Sequence, residues 1–219
     1  MPTSAPAPPA APGGRRARRK AELRERILRA ALDIIARQGF FATTVEQITE
    51  AADVGKGTFF NYFPSKEHAL AGFGEMQVAR VRAAHAEAQA GQRPARDILE
   101  RLLMRLAEEP GRSQALVRSM MVANLSSEAV RHLFRRNLGR GHRLLAEIIA
   151  YGQDRGEIES HHTPIDLARA LQQMFMGTIL LWAVFPPSRL TDRLKPNFEI
   201  FWSGIAAEGK TTPRKGRTL

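Results

Sequence analysis

Apolar side chains recur along this chain every three or four positions, and almost nowhere at every second one. That spacing is helical, because a strand would alternate its side chains between two faces. In AELRERILRAALDIIARQGF the apolar residues Leu23, Ile27, Ala30, Ala31, Ile34 and Ile35 fall on one face, and Gly39 stands where a terminal glycine stops a helix. A first amphipathic helix is therefore expected from Ala21. Thr44 then caps a short second helix, Val45 to Ala52, and Gln47 three residues later completes a capping box. Val45, Ile48 and Ala52 share one face of it. Asp53-Val54-Gly55 ends this helix, and a third runs from about Lys56 to Tyr62, stopping ahead of Pro64 because the residue before a proline resists the α conformation.

Beyond Ser65, an N-cap, a long helix extends to about residue 90 and ends in Gly91-Gln92-Arg93-Pro94. Further helices are expected over about 94–108, 113–124, 127–153 and 164–184, with a last one ending near residue 207. Thr163-Pro164 is a strong start signal, a capping hydroxyl followed by proline at the first helical position. Pro196 interrupts the final segment, which should begin near Lys195 or kink there. No β alternation and no internal repeat are visible. The fold class is all-α: a small N-terminal bundle and a larger C-terminal one, joined by the long helix after Ser65.

Composition narrows the chemistry. The chain has 219 residues, 43% of them hydrophobic, which is enough for one large or two small domains with a real core. It has no cysteine, so disulfides, thiolate metal sites and cysteine nucleophiles are excluded. MPTSAPAPPAAPGG lacks the apolar run of a signal peptide, and no uninterrupted apolar stretch is long enough for a membrane helix, so a cytoplasmic protein is expected. The net charge is +11, of which residues 1–20 carry +5 and residues 209–219 carry +4, leaving +2 for the body between. The basicity therefore sits at the two ends, where it suits a phosphate backbone.

A helix, a tight break with glycine and a second short helix make a helix-turn-helix, whose second helix enters the DNA major groove. Phe59 and Phe63 are four apart, share a face and should point into a small core with Ile34, Phe40, Val45 and Ile48. The opposite surface carries Lys56, Gly57, Thr58, Asn61 and Tyr62. Lysine reaches guanine edges or phosphate, threonine offers a methyl or hydroxyl, asparagine pairs with adenine, and glycine lets the backbone come close. Just ahead of the first helix, Arg15, Arg16, Arg18 and Arg19 form an arm suited to the backbone or the adjacent minor groove. The expected organisation is a disordered basic arm (1–20), a DNA-binding domain (21–66), a larger domain (67–208) and a basic tail (209–219).

Thr44 to Leu70, TVEQITEAADVGKGTFFNYFPSKEHAL, together with the preceding helix ending in Gly39-Phe40, resembles the DNA-binding signature of the TetR (tetracycline repressor) family of one-component bacterial regulators. The resemblance covers roughly residues 22–72. It implies that Lys56, Gly57, Thr58 and Asn61 face bases or nearby phosphates, that Tyr62 and Lys66 grip the phosphate backbone, and that Thr44 touches a phosphate. Two positions depart from the family pattern. Phe60 stands where many members carry tyrosine, so no polar contact is expected there, and Gly55 replaces a frequent serine.

For the rest of the chain the resemblance implies a domain that binds a small effector among its middle helices and dimerises through the last two. Leu103, Met104, Met120, Met121, Ile149, Met174 and Phe175 are the candidate pocket residues, and adaptable methionines suit an apolar, tolerant pocket. MFMGTILLWAVFP, residues 174–186, is apolar almost all round, as expected of a helix packed on its own domain and on a second subunit. Ile179, Trp182, Phe185, Phe198, Phe201, Trp202 and Ile205 are the candidate homodimer interface. His161-His162 lies among acidic residues without the spacing of a zinc site, and no catalytic motif is present, so no metal, cofactor or catalytic residue is expected. The reading is a dimeric repressor that binds a pseudo-palindromic double-stranded DNA operator and is released by a small apolar effector. The alternative is an activator or global regulator with no small ligand.

Overall fold

The computed structural model describes residues 12–185 and 188–207. Among them the helices are α1 (Pro12–Gln38), α2 (Val45–Ala51), α3 (Lys56–Tyr62), α4 (Lys66–Gln89), α5 (Ala95–Ala107), α6 (Gln114–Ser126), α7 (Glu128–Asp154), α8 (Pro164–Val184) and α9 (Leu190–Ile205), with a 3-10 turn at Pro110–Arg112 before α6. Extended pairing among the described residues is limited to one antiparallel bridge, Ile158 with Ala206. Local chemistry sets most of the boundaries. Thr44 Oγ1 accepts from the Gln47 amide at 3.2 Å while Gln47 Oε1 accepts from the Thr44 amide at 3.0 Å, the reciprocal capping box at the start of α2. Ser65, Ser113, Ser127 and Thr163 cap α4, α6, α7 and α8 in the simpler one-bond way. Gly39 ends α1 with φ 86°, a left-handed conformation that glycine adopts without steric cost.

Two boundaries differ from the sequence reading. The first helix begins at Pro12, so Arg15 to Lys20 are the opening turns of α1 and not a disordered arm. Arginine, alanine and lysine are strong helix formers, proline suits the first helical position, and Arg18 pairs with Glu22 one turn on at 3.1 Å. The other is α9, which begins at Leu190 and carries Pro196 inside it. Pro196 and Asp192 are both exposed, so water can serve the carbonyl that the missing N–H leaves without a helical donor. The expected tail at 209–219 and residues 1–11 lie outside the described residues.

The buried side chains form two clusters. One joins α5, α7, α8 and α9 around Leu99, Leu102, Ile148, Ile149, Leu171 and Phe198. The other holds the N-terminal helices together around Ile27, Ile35, Phe40, Ile48, Phe59 and Phe63, and continues through Leu70 and Phe73 of α4 into Leu116, Ala123 and Val130. The small bundle is thus packed onto the larger one as well as tethered by α4.

Candidate DNA interface and effector cavity

The turn between α2 and α3 is set by Asp53, left-handed at φ 49°, whose carbonyl accepts from Arg26 of α1 at 3.3 Å. Asp is among the few side chains that tolerate this conformation. It aims α3 so that Phe59 (0% exposed) and Phe63 (1%) point inward, their rings 5.9 Å apart and Phe63 covered by the Arg24 guanidinium at 4.9 Å. Lys56, Gly57 and Asn61 are exposed on the outer surface, with Thr58 and Tyr62 half-buried beside them. A side chain on Gly57 would meet nothing within 4 Å, so the protein's own packing does not require glycine there. Phe60 is half exposed and stands edge-on to Phe59 at 5.4 Å, which puts its ring on the same outer surface. Phe41 repeats this arrangement on Phe40 at 5.3 Å, also half exposed, in the turn before α2. Sequence reasoning passed over Phe41, because periodicity says nothing about a residue in a turn.

The family resemblance implied a phosphate contact for Lys66, and in the structure its ammonium is turned to the protein's own backbone. Its ammonium donates to the carbonyls of Phe40 (3.2 Å), Phe41 (3.3 Å) and Thr43 (2.9 Å) and lies 4.8 Å from the centre of the Phe40 ring. An ammonium has three donors, and all three are spent on the turn that follows α1. Lys66 therefore braces α4 against that turn.

Lys56 is exposed but paired. Its ammonium meets Glu46 of α2 at 2.5 Å, and that hydrogen bond is the first cause holding the Glu46 carboxyl below its usual range. Since the folded value is the lower one, the pair is intact at neutral pH and is lost only as pH falls through the carboxylate range. Glu46→Gln is expected to release Lys56 and remove a carboxylate beside the DNA-facing surface. Operator affinity should rise, and the slope of log affinity against log salt should steepen by about one. Titration of fluorescent operator DNA at several salt concentrations checks this, and an unchanged slope counts against a DNA contact by Lys56.

On α1, Arg15, Arg16, Arg18, Arg19 and Lys20 are all exposed, and the first turn has no acidic residue to complement the helix dipole. The 27-residue helix carries these cations far beyond the small core.

A cavity of about 430 Å³ opens among α4, α6, α7 and α8, with α5 behind it. Its walls are almost wholly apolar, including Leu70, Phe73 and Val78 of α4, Val130 and Phe134 of α7, and Ile179 and Leu180 of α8. Four of the seven expected pocket residues line it: Leu103, Met120, Met121 and Phe175. The other three do not. Ile149 is fully buried in the packed core, and Met104 and Met174 are half-buried against it. Helical period identifies a buried face, but close packing fills most of that face and leaves the void elsewhere. The α4 wall was not foreseen, because the long helix read as a linker.

The family profile described as "Bacterial regulatory proteins, tetR family" matches residues 27–83, which span the helix-turn-helix and most of α4. The lauroyl-CoA complex of Thermus thermophilus FadR, a TetR-family transcriptional repressor, is 30% identical with a TM-score of 0.60, covering 90% of this chain and 98% of that one. The transcriptional repressor KstR of Rhodococcus jostii is 25% identical over 168 residues, 74% of this chain and 73% of its own. The regulator TcmR of Streptomyces glaucescens is 46% identical over a 54-residue stretch, 25% of this chain and 24% of its own. This chain belongs to the TetR family. It is accordingly a helix-turn-helix transcriptional regulator and not an enzyme.

In this TetR-family chain the expected dimer residues are split by their burial. Ile179 (7% exposed), Trp182 (3%), Phe198 (0%) and Ile205 (7%) are consumed by their own core, and the Trp182 indole donates to the Ser188 carbonyl at 2.7 Å. They are not available to a second subunit. Phe201 and Trp202 are half-buried and packed against that core, and Phe185 is half exposed. The large apolar side chains left exposed on α8 and α9 are Ile165, Met176, Leu180, Leu181 and Val184 of α8, with Ile200 of α9 at 71% exposure, and Met176 and Leu180 also line the cavity. The α8 residues recur at helical spacing and form one stripe. By length and composition α8 could also cross a membrane, although 44% of its most apolar window is buried inside the protein.

Proposed function

We propose that the chain is a homodimeric repressor that binds a pseudo-palindromic operator and is released by a small amphiphile with a large apolar part. The observation that carries this reading is a shared wall. Leu70 and Phe73 of α4 and Val130 of α7 line the cavity and also belong to the core that packs Phe59 and Phe63. A ligand that moves those side chains shifts the seat of the recognition helix, and its effect equals its difference in affinity between the two arrangements.

On DNA, Lys56, Gly57, Thr58 and Asn61 read bases or adjacent phosphates, while Tyr62 and the Thr44 hydroxyl reach the backbone. Phe60 and Phe41 offer apolar contact to sugars or thymine methyls. The cationic start of α1 supplies salt-dependent attraction, and phosphate offsets the unfavourable end of its helix dipole. The exposed stripe of α8 with Ile200 joins two subunits, spacing the recognition helices roughly 34–36 Å apart, one turn of DNA. A regulator of this kind works where bacterial DNA is, in the cytoplasm. The likeness to the lauroyl-CoA complex of Thermus FadR makes a long-chain acyl-CoA the first ligand to try.

Fluorescence anisotropy with palindromes from the DNA flanking its gene, against scrambled duplexes, tests the reading. Preference for one palindrome by at least about a thousandfold, in the usual range for specific sites, and its loss on adding lauroyl-CoA, are the expected results. Equal affinity for scrambled duplex would sink the operator reading.

A further inference from the structure

The walls of the cavity are apolar, but the helices around its opening are cationic. Three lining side chains reach the surface, Leu125 at 77% exposure, Leu180 at 40% and Met176 at 36%, so the void opens beside the end of α6 and the middle of α8. No acidic residue occurs on α6, on α7 between Ala129 and Ala146, or on α8 between Leu167 and Val184. That same stretch of α7 carries Arg131, Arg135, Arg136, Arg140 and Arg143.

Elsewhere in the molecule arginines find carboxylates, as Arg24 does with Glu75, Arg29 with Glu25, Arg96 with Glu199 and Arg101 with Glu87. Among the described residues the α7 arginines have no such ion pair. Arg131 with Arg135, and Arg136 with Arg140, stand four apart on one helix, a spacing at which like charges repel. A bound oxyanion relieves that repulsion.

Arg131 is held at the opening itself. Its Nη1 donates to the carbonyls of Leu125 at 3.0 Å and Asn124 at 3.4 Å, both residues of the cavity lining, and its charge complements the C-terminal end of the α6 dipole. Its Nε and the second terminal nitrogen, Nη2, have no partner among the described residues. Arg135 lies one turn further on the same side of α7, exposed and without a partner among the described residues, directly after Phe134 of the cavity wall.

We propose that Arg131 and Arg135 form an oxyanion-binding rim, and that the effector is an anionic amphiphile whose tail fills the cavity while its phosphate or carboxylate head stays outside on this rim. The proposal rests on the reading of the cavity as the effector site. A guanidinium presents paired N–H donors in the geometry of both oxyanions, and the apolar walls leave the head no other place.

The test uses decyl phosphate, decanoate and 1-decanol, which share a ten-carbon tail, titrated calorimetrically into the full-length protein. Decyl phosphate is expected to bind roughly tenfold more tightly than decanol, the effect of two partly exposed charge pairs, and the preference should shrink with added salt. In Arg131→Gln with Arg135→Gln it should fall to about threefold or less. Arg135→Gln alone, with a partial fall, decides if loss of Arg131 from the end of α6 unfolds the chain. Decanoate separates the two heads: equal to the phosphate, it assigns a carboxylate, and near decanol, a phosphate, either of which upholds the rim. Equal binding of phosphate and alcohol by the wild type, or a preference that survives both substitutions, overturns the rim and leaves the effector cavity standing. Failure of all three compounds to bind overturns the two together.

Discussion

Lys66→Met is expected to lower the melting temperature by roughly 5–10 °C and to remove tight operator binding with it. Three carbonyls of the turn after α1 lose their shared ammonium donor, and hydrogen bonds to a charged group lost in this way cost about 2–3 kcal/mol together. For a chain of this length that energy corresponds to the stated shift. The turn leads directly into Thr44 and α2, so its loosening also misplaces the recognition helix. Differential scanning calorimetry and operator titration, run side by side, check both halves. A variant that keeps its melting temperature and loses only affinity would show Lys66 to be a phosphate contact after all.

The second expected result concerns the apolar stripe on α8. Leu181→Arg with Val184→Arg should yield a monomer at micromolar concentration, because a two-fold interface brings each new charge near its own copy. Half-site binding then loses the benefit of linkage, and operator affinity should fall by roughly 100-fold or more. Both residues are exposed, Leu181 at 53% and Val184 at 60%, so helicity measured by circular dichroism should stay unchanged. Sedimentation equilibrium gives the mass. A dimer that persists in the double variant would place the interface elsewhere, whereas Trp182→Arg would not discriminate, since burying a charge in the core unfolds the chain for its own reasons.

The recognition helix shows how much of the site was legible without coordinates. Phe59 and Phe63 lie four residues apart on a helix whose cap and stop signals are local, so their inward direction and the outward direction of Gly57 and Asn61 both follow from period alone, whereas Lys56, three before Phe59 and seven before Phe63, shares their side by period and is exposed because it opens the helix. Lys66 shows the opposite case. Nothing in its neighbours along the chain says that the carbonyls of Phe40, Phe41 and Thr43, more than twenty residues earlier, will converge on its ammonium. Arg15 to Lys20 failed for a different reason. Their charge density suggested a solvated arm, yet the same residue types propagate a helix once α1 is nucleated by its own core.

The larger domain divides in the same way. Apolar period found α8 as a helix buried on more than one side, but it could not tell Trp182, spent on its own subunit, from Leu181 one residue away. It picked Met120, Met121 and Phe175 for the cavity and wrongly added Ile149.

The sequence by itself determined the helices, their caps, the helix-turn-helix and the family, because each is written in contacts within a few residues. Tertiary structure alone decided which partner each lysine takes, where the void lies and which apolar face stays uncovered. Those depend on how separate helices meet, and the energies that select among such meetings are sums over partners distant in the chain.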